Sequence, residues 1–447
     1  MSRSLQDLTE AMLAAARKAG ADAADALAVE GTSLAIHLRQ GKLEQAERSE
    51  GVDLGLRVLV GRRQACVSVS DTSDSTITEV AARAVAMAME APEDPYIGLA
   101  DPGEIARSWD LDALELAEEA AEPGAAALEE QARRAEAAAL SAGAITQVEA
   151  AAGYSMRRMH LAMTNGFSGG YARSSHSVSA VAFVGEGTGM ERDWAAEGRT
   201  FLGDLPAPEE IGRLAGERAL ERLGARKPAT GAYPVLYDER VASSLIGHLL
   251  GAVNGSAIAR GASWARDLLG QQVLPKGLSV IEDPYRPRIG ASRPFDAEGL
   301  PTRRRAIVDD GVLTGWTLDL ATGRKLGMPS TASASRGTTA PPSPGTGNID
   351  LTQGSASRDD LIAAMGTGLL VTSMIGSSIN PTTGDYSRGA SGFWVENGQI
   401  AYPVNEVTVA GNLRDMLLRI TPANDARAHL STRVPSLLVE GLTLAGA

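Results

Sequence analysis

The chain has 447 residues, 44% hydrophobic and 22% charged, which is enough apolar material for two or three globular domains. Its formal charge of −13 and aromatic content of only 4% argue against nucleic acid as a principal ligand. Residues 231–447 carry equal numbers of basic and acidic side chains, so the whole net charge falls on the first 230 residues. A single cysteine, Cys66, excludes an internal disulfide framework and a cysteine-rich zinc site. The five histidines, His37, His160, His176, His248 and His429, are too far apart for one helix to present paired imidazoles, which leaves only a metal centre assembled from distant histidines.

Residues 5–19 read as an amphipathic helix with Leu5, Leu8, Met12 and Leu13 on one face and Gly20 as its stop. Strand-like runs follow at 25–29, 33–39 and 43–48. Leu54, Leu56, Val58 and Val60 then alternate, as do Ala65, Val67 and Val69 after a turn at 61–63, a hairpin with one buried face. A helix is expected over 77–90, with Thr76 and Glu79 at capping-box spacing. Pro92, Pro95 and Pro102 break the pattern and place a boundary near 105. Residues 111–142, rich in Ala, Glu and Leu, read as helix interrupted at Pro123 and Gly124. Strands over 144–151, 154–164 and 171–184, a turn at Asn165-Gly166, a helix over 208–223 and a linker over 225–231 complete this part.

From 233 a strand leads into a helix over 240–253, all of which after Arg240 falls in a run, residues 241–259, that bears no charge. Ser243, Ser244, His248, Asn254 and Ser256 make that run too polar for lipid, so it is expected to be a buried helix and not a membrane span. The N-terminus has no apolar signal segment, and a cytoplasmic protein is expected. Hairpins are expected over 306–318 and 393–404. The fold class is α+β: an N-terminal α/β region with a mixed sheet and helices, then a mostly antiparallel β domain with a few helices. The domains are placed at 1–105, 106–225 and 231–447. Residues 329–347, with Arg336 as the only charge, form either a functional lid or a mobile surface loop.

Generic motifs carry little chemistry. The glycines at 185–189 and 366–368 lack the lysine of a phosphate loop and the spacing of a dinucleotide site, and read as turns. Ser244 and His248 stand four apart on one helix face, but a serine–histidine dyad also needs an orienting acid and an oxyanion hole. The adjacent carboxylates at 282–283, 309–310 and 359–360 flank turns or helix starts, where acids cap and solvate.

Longer stretches are more specific. The run from Gly384 to Gly398, GDYSRGASGFWVENG, is similar to the signature of the TldE (PmbA) subfamily of the TldD/PmbA metallopeptidases. Tyr402-Pro403-Val404, residues 410–413, residues 294–299 (PFDAEG) and residues 245–249 (LIGHL) resemble it as well. The resemblance is specific over 233–420 and extends to element order over 1–225. It implies a two-component system in which a TldD-type chain holds zinc through a helical His-Glu-x-x-x-His motif and a cysteine. On this chain the first histidine position falls at Ser243, the glutamate at Ser244, the second histidine at His248 and the cysteine at Gly389. Serine hydroxyls are poor zinc ligands at neutral pH, and glycine has no side chain to offer.

The resemblance therefore implies no metal or cofactor in this chain, with zinc in the TldD-type partner. It also implies a heterodimer that cleaves extended or unfolded peptides, as in peptide-antibiotic maturation and antitoxin degradation. The family label "modulator of DNA gyrase" reflects those pathways and not DNA contact. The substrate-cavity candidates are His248, Arg336, Asp385, Tyr386, Arg388 and Ser391, with the 329–347 loop and the 384–392 turn facing the shared cavity. The competing readings are an autonomous hydrolase or peptidase with a non-standard site, such as Ser244 with His248, and a homo-oligomeric peptide-binding scaffold. A homodimer of the isolated chain is compatible with each.

Overall fold

The computed structural model describes residues 3–446. The N-terminal half contains α1 (Leu5–Ala19), β1 (Ala23–Arg39), β2 (Lys42–Val60), β3 (Arg63–Val69), α2 (Asp74–Glu90), α3 (Ala125–Leu140), β4 (Ile145–Met163), β5 (Ser168–Val184), β6 (Glu191–Arg199) and α4 (Pro208–Leu220). Its strands form one sheet in the order β3-β2-β1-β4-β5-β6, and every pairing is antiparallel. The strand runs expected at 25–29 and 33–39 are a single strand, because β1 is paired on both sides by β2 and β4 through Gly31.

Side-chain alternation sorts the two faces of this sheet. Ala24, Ala26 and Ala28 of β1 pack beneath α1 and α2, whereas Leu34, Ile36 and Leu38 pack beneath α3 and α4. Leu27 and Val29, of opposite parity, face the C-terminal half with Leu161, Phe167, Phe295 and Leu320. The sheet thus runs unbroken past residue 105, while each helix pair keeps its own core.

Two local expectations change. Helix α2 begins at Asp74 and is capped by Ser73, whose hydroxyl accepts from Thr76 N–H; the Thr76 hydroxyl instead donates to Asp71 at 2.6 Å. Residues 111–122 are not helical beyond the single turn Asp112–Leu114. They lie against β5, where Leu116 C=O accepts from Ser174 N–H at 3.2 Å and Glu118 N–H donates to the Ser174 hydroxyl at 2.8 Å. Burial of Leu114 and Leu116 overrides the helical composition.

The C-terminal half contains β7 (Gly231–Tyr237), α5 (Glu239–Ala252), α6 (Gly255–Ala259), β8 (Val280–Glu282), β9 (Arg305–Asp309), β10 (Val312–Leu313), α7 (Leu320–Leu326), β11 (Ala334–Ser335), β12 (Ser343–Pro344), β13 (Ile349–Leu351), α8 (Arg358–Met365), β14 (Gly368–Ile379), β15 (Asp385–Glu396), β16 (Gln399–Asn412), α9 (Leu413–Leu417), β17 (Ile420–Pro422), β18 (Thr432–Arg433) and β19 (Leu437–Ala445). Its main sheet has the order β16-β15-β14-β7-β19-β17, and β16 also pairs with β19, which closes a barrel-like ring. Val235, Tyr237, Leu369 and Val371 face α5, and Leu236 and Leu370 face α8. The parallel pairs lie here, β7 with β14 and β13 with β18, and not in the N-terminal sheet. The chain is α+β.

Residues 329–347 form an ordered segment and not a free loop. β11 and β12 pair, and the segment between them crosses onto the N-terminal sheet as a strap. A Cβ on Gly55 of β2 would stand 2.4 Å from Thr338 C=O, so only glycine permits this approach.

Candidate functional site

Helix α5 is held at its start by Asp238, which accepts from Arg240 N–H at 3.2 Å and pairs with the Arg240 and Arg358 guanidiniums. Ala242, Leu245, Ile246 and Leu249 face the core. Ser243, Ser244 and His248 lie half-buried beside them. The His248 ring meets Tyr386 of β15 edge-on, with centroids 5.9 Å apart at 74°. The Tyr386 hydroxyl donates to Met374 Sδ at 3.6 Å, and Arg388, two residues on and on the same strand face, donates from Nε to Gly376 C=O at 2.8 Å. His248, Tyr386 and Arg388 are therefore brought together.

Burial, helped by the Arg388 charge, pushes the His248 imidazole below its ordinary value, and its buried Nε2 has no hydrogen-bond partner. Burial beside Tyr386 pushes the Tyr237 phenol well up. The cluster thus sets an imidazole and two phenols beside one guanidinium, groups that can offer hydrogen bonds to a polar ligand. Ser244 donates its hydroxyl to Val241 C=O at 2.7 Å, turned back onto its own helix.

The other expected cavity residues lie apart from this cluster. Asp385 sits at the exposed end of β15, where the Thr383 hydroxyl (2.7 Å) and Asn412 Nδ2 (3.1 Å) donate to it and hold its carboxyl below the usual range. Ser391 is half-buried within β15, opposite Ser373. Arg336 is on the strap and buried against Asp25 of β1, to which Arg57 also donates at 2.5 Å. Asp296 and Glu298, in the 294–299 segment, are buried nearby, and burial raises both carboxyls. The sequence places these two groups in the 294–299 segment but gives no sign of their burial, which comes from packing against residues 319–320 and 334.

A zinc ion does not fit the mapped positions. A Cβ on Gly389 would stand 2.6 Å from Ile375 Cγ2, so a ligating side chain there would displace Ile375. Ser243 and Ser244 are poor donors, and the Arg388 charge beside His248 opposes a cation. Among the described residues no three His, Cys, Asp or Glu side chains gather as a metal centre. No helix among them is long and apolar enough to cross a membrane.

Fold and site define a two-part α+β protein: a helix-backed antiparallel sheet joined by a strap to a barrel-like domain that carries the histidine–tyrosine cluster. The family models for PmbA/TldA metallopeptidase domain 1, central domain and C-terminal domain match residues 24–88, 118–223 and 230–446. The chain belongs to this PmbA/TldD metallopeptidase family. It is 36% identical over 429 residues to the metalloprotease PmbA of Escherichia coli, covering 95% of this chain and 92% of that one. A Bacteroides thetaiotaomicron structure named as a modulator of DNA gyrase superposes with a TM-score of 0.91 at 27% identity, covering 99% and 98% of the two chains. TldE from Thermococcus kodakarensis has the same fold, with a TM-score of 0.86 at 18% identity and coverage of 98% and 100%.

Proposed function

We propose that this chain is the non-catalytic, TldE-type subunit of a cytoplasmic heterodimeric peptidase, whose TldD-type partner holds the zinc and cleaves extended peptides. The observation that supports it is the state of the mapped positions. Ser243 and Gly389 stand where ligands would, and Ser244 stands where the general base would, its hydroxyl committed to Val241. Without a base or an activated water, the chain contributes a wall. The unpartnered Nε2 of His248 and the Arg388 guanidinium offer hydrogen bonds that would position a peptide in the shared cavity.

The test is to purify the chain alone, measure its zinc, and assay peptide cleavage with and without a TldD-type chain. Cleavage only in the mixture, with zinc on the partner, is the expected result. Stoichiometric zinc on this chain, with solo cleavage abolished by His248→Ala, would overturn the reading and favour an autonomous peptidase.

A further inference from the structure

Between the strap and the N-terminal sheet lies a cavity of about 190 Å³ that contains no residue of α5 or β15 and so is separate from the histidine–tyrosine cluster. Its floor is apolar: Leu27 and Val29 of β1 with Met159 and Leu161 of β4. Tyr171 and Phe295 form an aromatic wall, with ring centroids 5.5 Å apart. Four guanidiniums, those of Arg157, Arg173, Arg293 and Arg336, line it against one carboxylate, Asp296.

The charges around the cavity are incompletely matched. Arg336 is buried, with its side chain 1% exposed. Its Nη1 donates to Asp25 and its Nε to Gly337 C=O at 3.2 Å, but its Nη2 has no partner. Asp25 also accepts from Arg57, so two guanidiniums share one carboxylate, and Glu298 and Asp319 act on the Arg57 side of the pair. Arg293 donates from Nη1 to Ala334 C=O at 3.1 Å and from Nη2 to Gly345 C=O at 3.4 Å, while its Nε is buried without a partner. The opposing Asp296 is tied to the backbone, accepting from Glu298, Leu300 and Ala334 N–H at 2.9, 3.0 and 3.1 Å. Buried donors are normally satisfied, and an oxyanion in the cavity would satisfy these two.

We propose that this cavity is a binding site for an apolar carboxylate, a hydrophobic group whose free carboxyl is held by Arg336 Nη2 and Arg293 Nε with Arg157 adding positive charge from a more exposed position. The apolar floor and aromatic wall select a hydrophobic body over inorganic phosphate. A small free acid and the carboxyl terminus of a peptide share this chemistry.

The experiment is calorimetric titration of the full chain with 3-phenylpropionate, 3-phenylpropanamide and inorganic phosphate. The acid is expected to bind at least about tenfold more tightly than the amide. Arg157 is exposed and has no hydrogen-bond or ion-pair partner among the described residues, so Arg157→Gln tests the charge without disturbing the fold, and about fivefold weaker binding is expected. Ala297→Phe, which fills the cavity, should abolish binding with an unchanged circular dichroism spectrum. Short phenylalanine-terminated peptides with free or amidated ends then separate the sources: competition by the free-ended peptide alone assigns a chain terminus, and competition by neither assigns a small acid. Equal affinity for acid and amide, preference for phosphate, no binding of the acid, or acid binding untouched by both variants would overturn the proposal.

Discussion

Arg336 donates to Asp25 across 311 positions of sequence, and both side chains are almost completely buried. This contact, with Arg57 on the other oxygen of Asp25, ties the strap of the C-terminal half to the N-terminal sheet. Asp25→Asn leaves two buried guanidiniums without their counter-charge and should lower unfolding stability by about 3–5 kcal/mol. Arg336→Met, which leaves Asp25 paired with Arg57, should cost less and should speed proteolytic nicking of residues 337–342. Urea denaturation with limited proteolysis checks both effects. A loss below about 1 kcal/mol for Asp25→Asn would show that the pair does not hold the strap.

The contrast between this contact and α5 shows what the sequence could reveal. Period-2 alternation marks β3 and the second half of β2, and the helix expected over 240–253 lies within one residue of α5 at each end, because these depend on local pattern. His248, Tyr386 and Arg388 were grouped through the family resemblance, and they do meet. Arg336 was grouped with them as the lone charge of a loop, yet its partner is set by the docking of one half on the other, which no local pattern encodes. Residues 111–122 failed for the same reason: their composition favours helix, but burial against β5 decides their path.

Glu298 gives the stability a distinctive pH dependence. Burial first, then the nearby Asp296 and Asp319, raises its carboxyl, opposed by Leu320 N–H, which donates to it at 2.8 Å, and by Arg57. A carboxyl raised in the folded state binds its proton more tightly there than when unfolded. Stability is therefore retained at low pH and lost as pH rises above the ordinary carboxylate range, until Glu298 ionises in the fold, by about 1.4 kcal/mol per pH unit for one group. Glu298→Gln keeps an acceptor for Leu320 and removes the charge, so it should flatten the fall and raise stability at pH 9 relative to pH 5. An unchanged slope in denaturation midpoints across that range would refute the assignment.

Helices α3 and α4 cross at Gly212. A Cβ there would stand 1.9 Å from Ala135 C=O, which is backbone and cannot swing aside. On helix propensity alone Gly212→Ala would stabilise by about 1 kcal/mol. The crossing should reverse that sign and cost about 2 kcal/mol or more as the helices separate. Thermal unfolding decides between them, since a raised midpoint would mean that the helices are free to shift.

The neutrality of His248 rests on two separable causes, burial and the positive charge of Arg388. Only the second can be removed without reshaping the helix packing. Arg388→Gln should raise the imidazole value towards its ordinary one, and proton titration of the His248 ring signal by NMR measures it directly. The imidazole binds its proton less tightly folded than unfolded, so in the parent protein stability should fall as pH drops below the ordinary histidine value. The variant should lose less over that interval, because its folded imidazole accepts the proton more readily. If the ring titrates identically in both proteins, Arg388 does not act on His248, and the pairing of these two groups in peptide positioning fails with it.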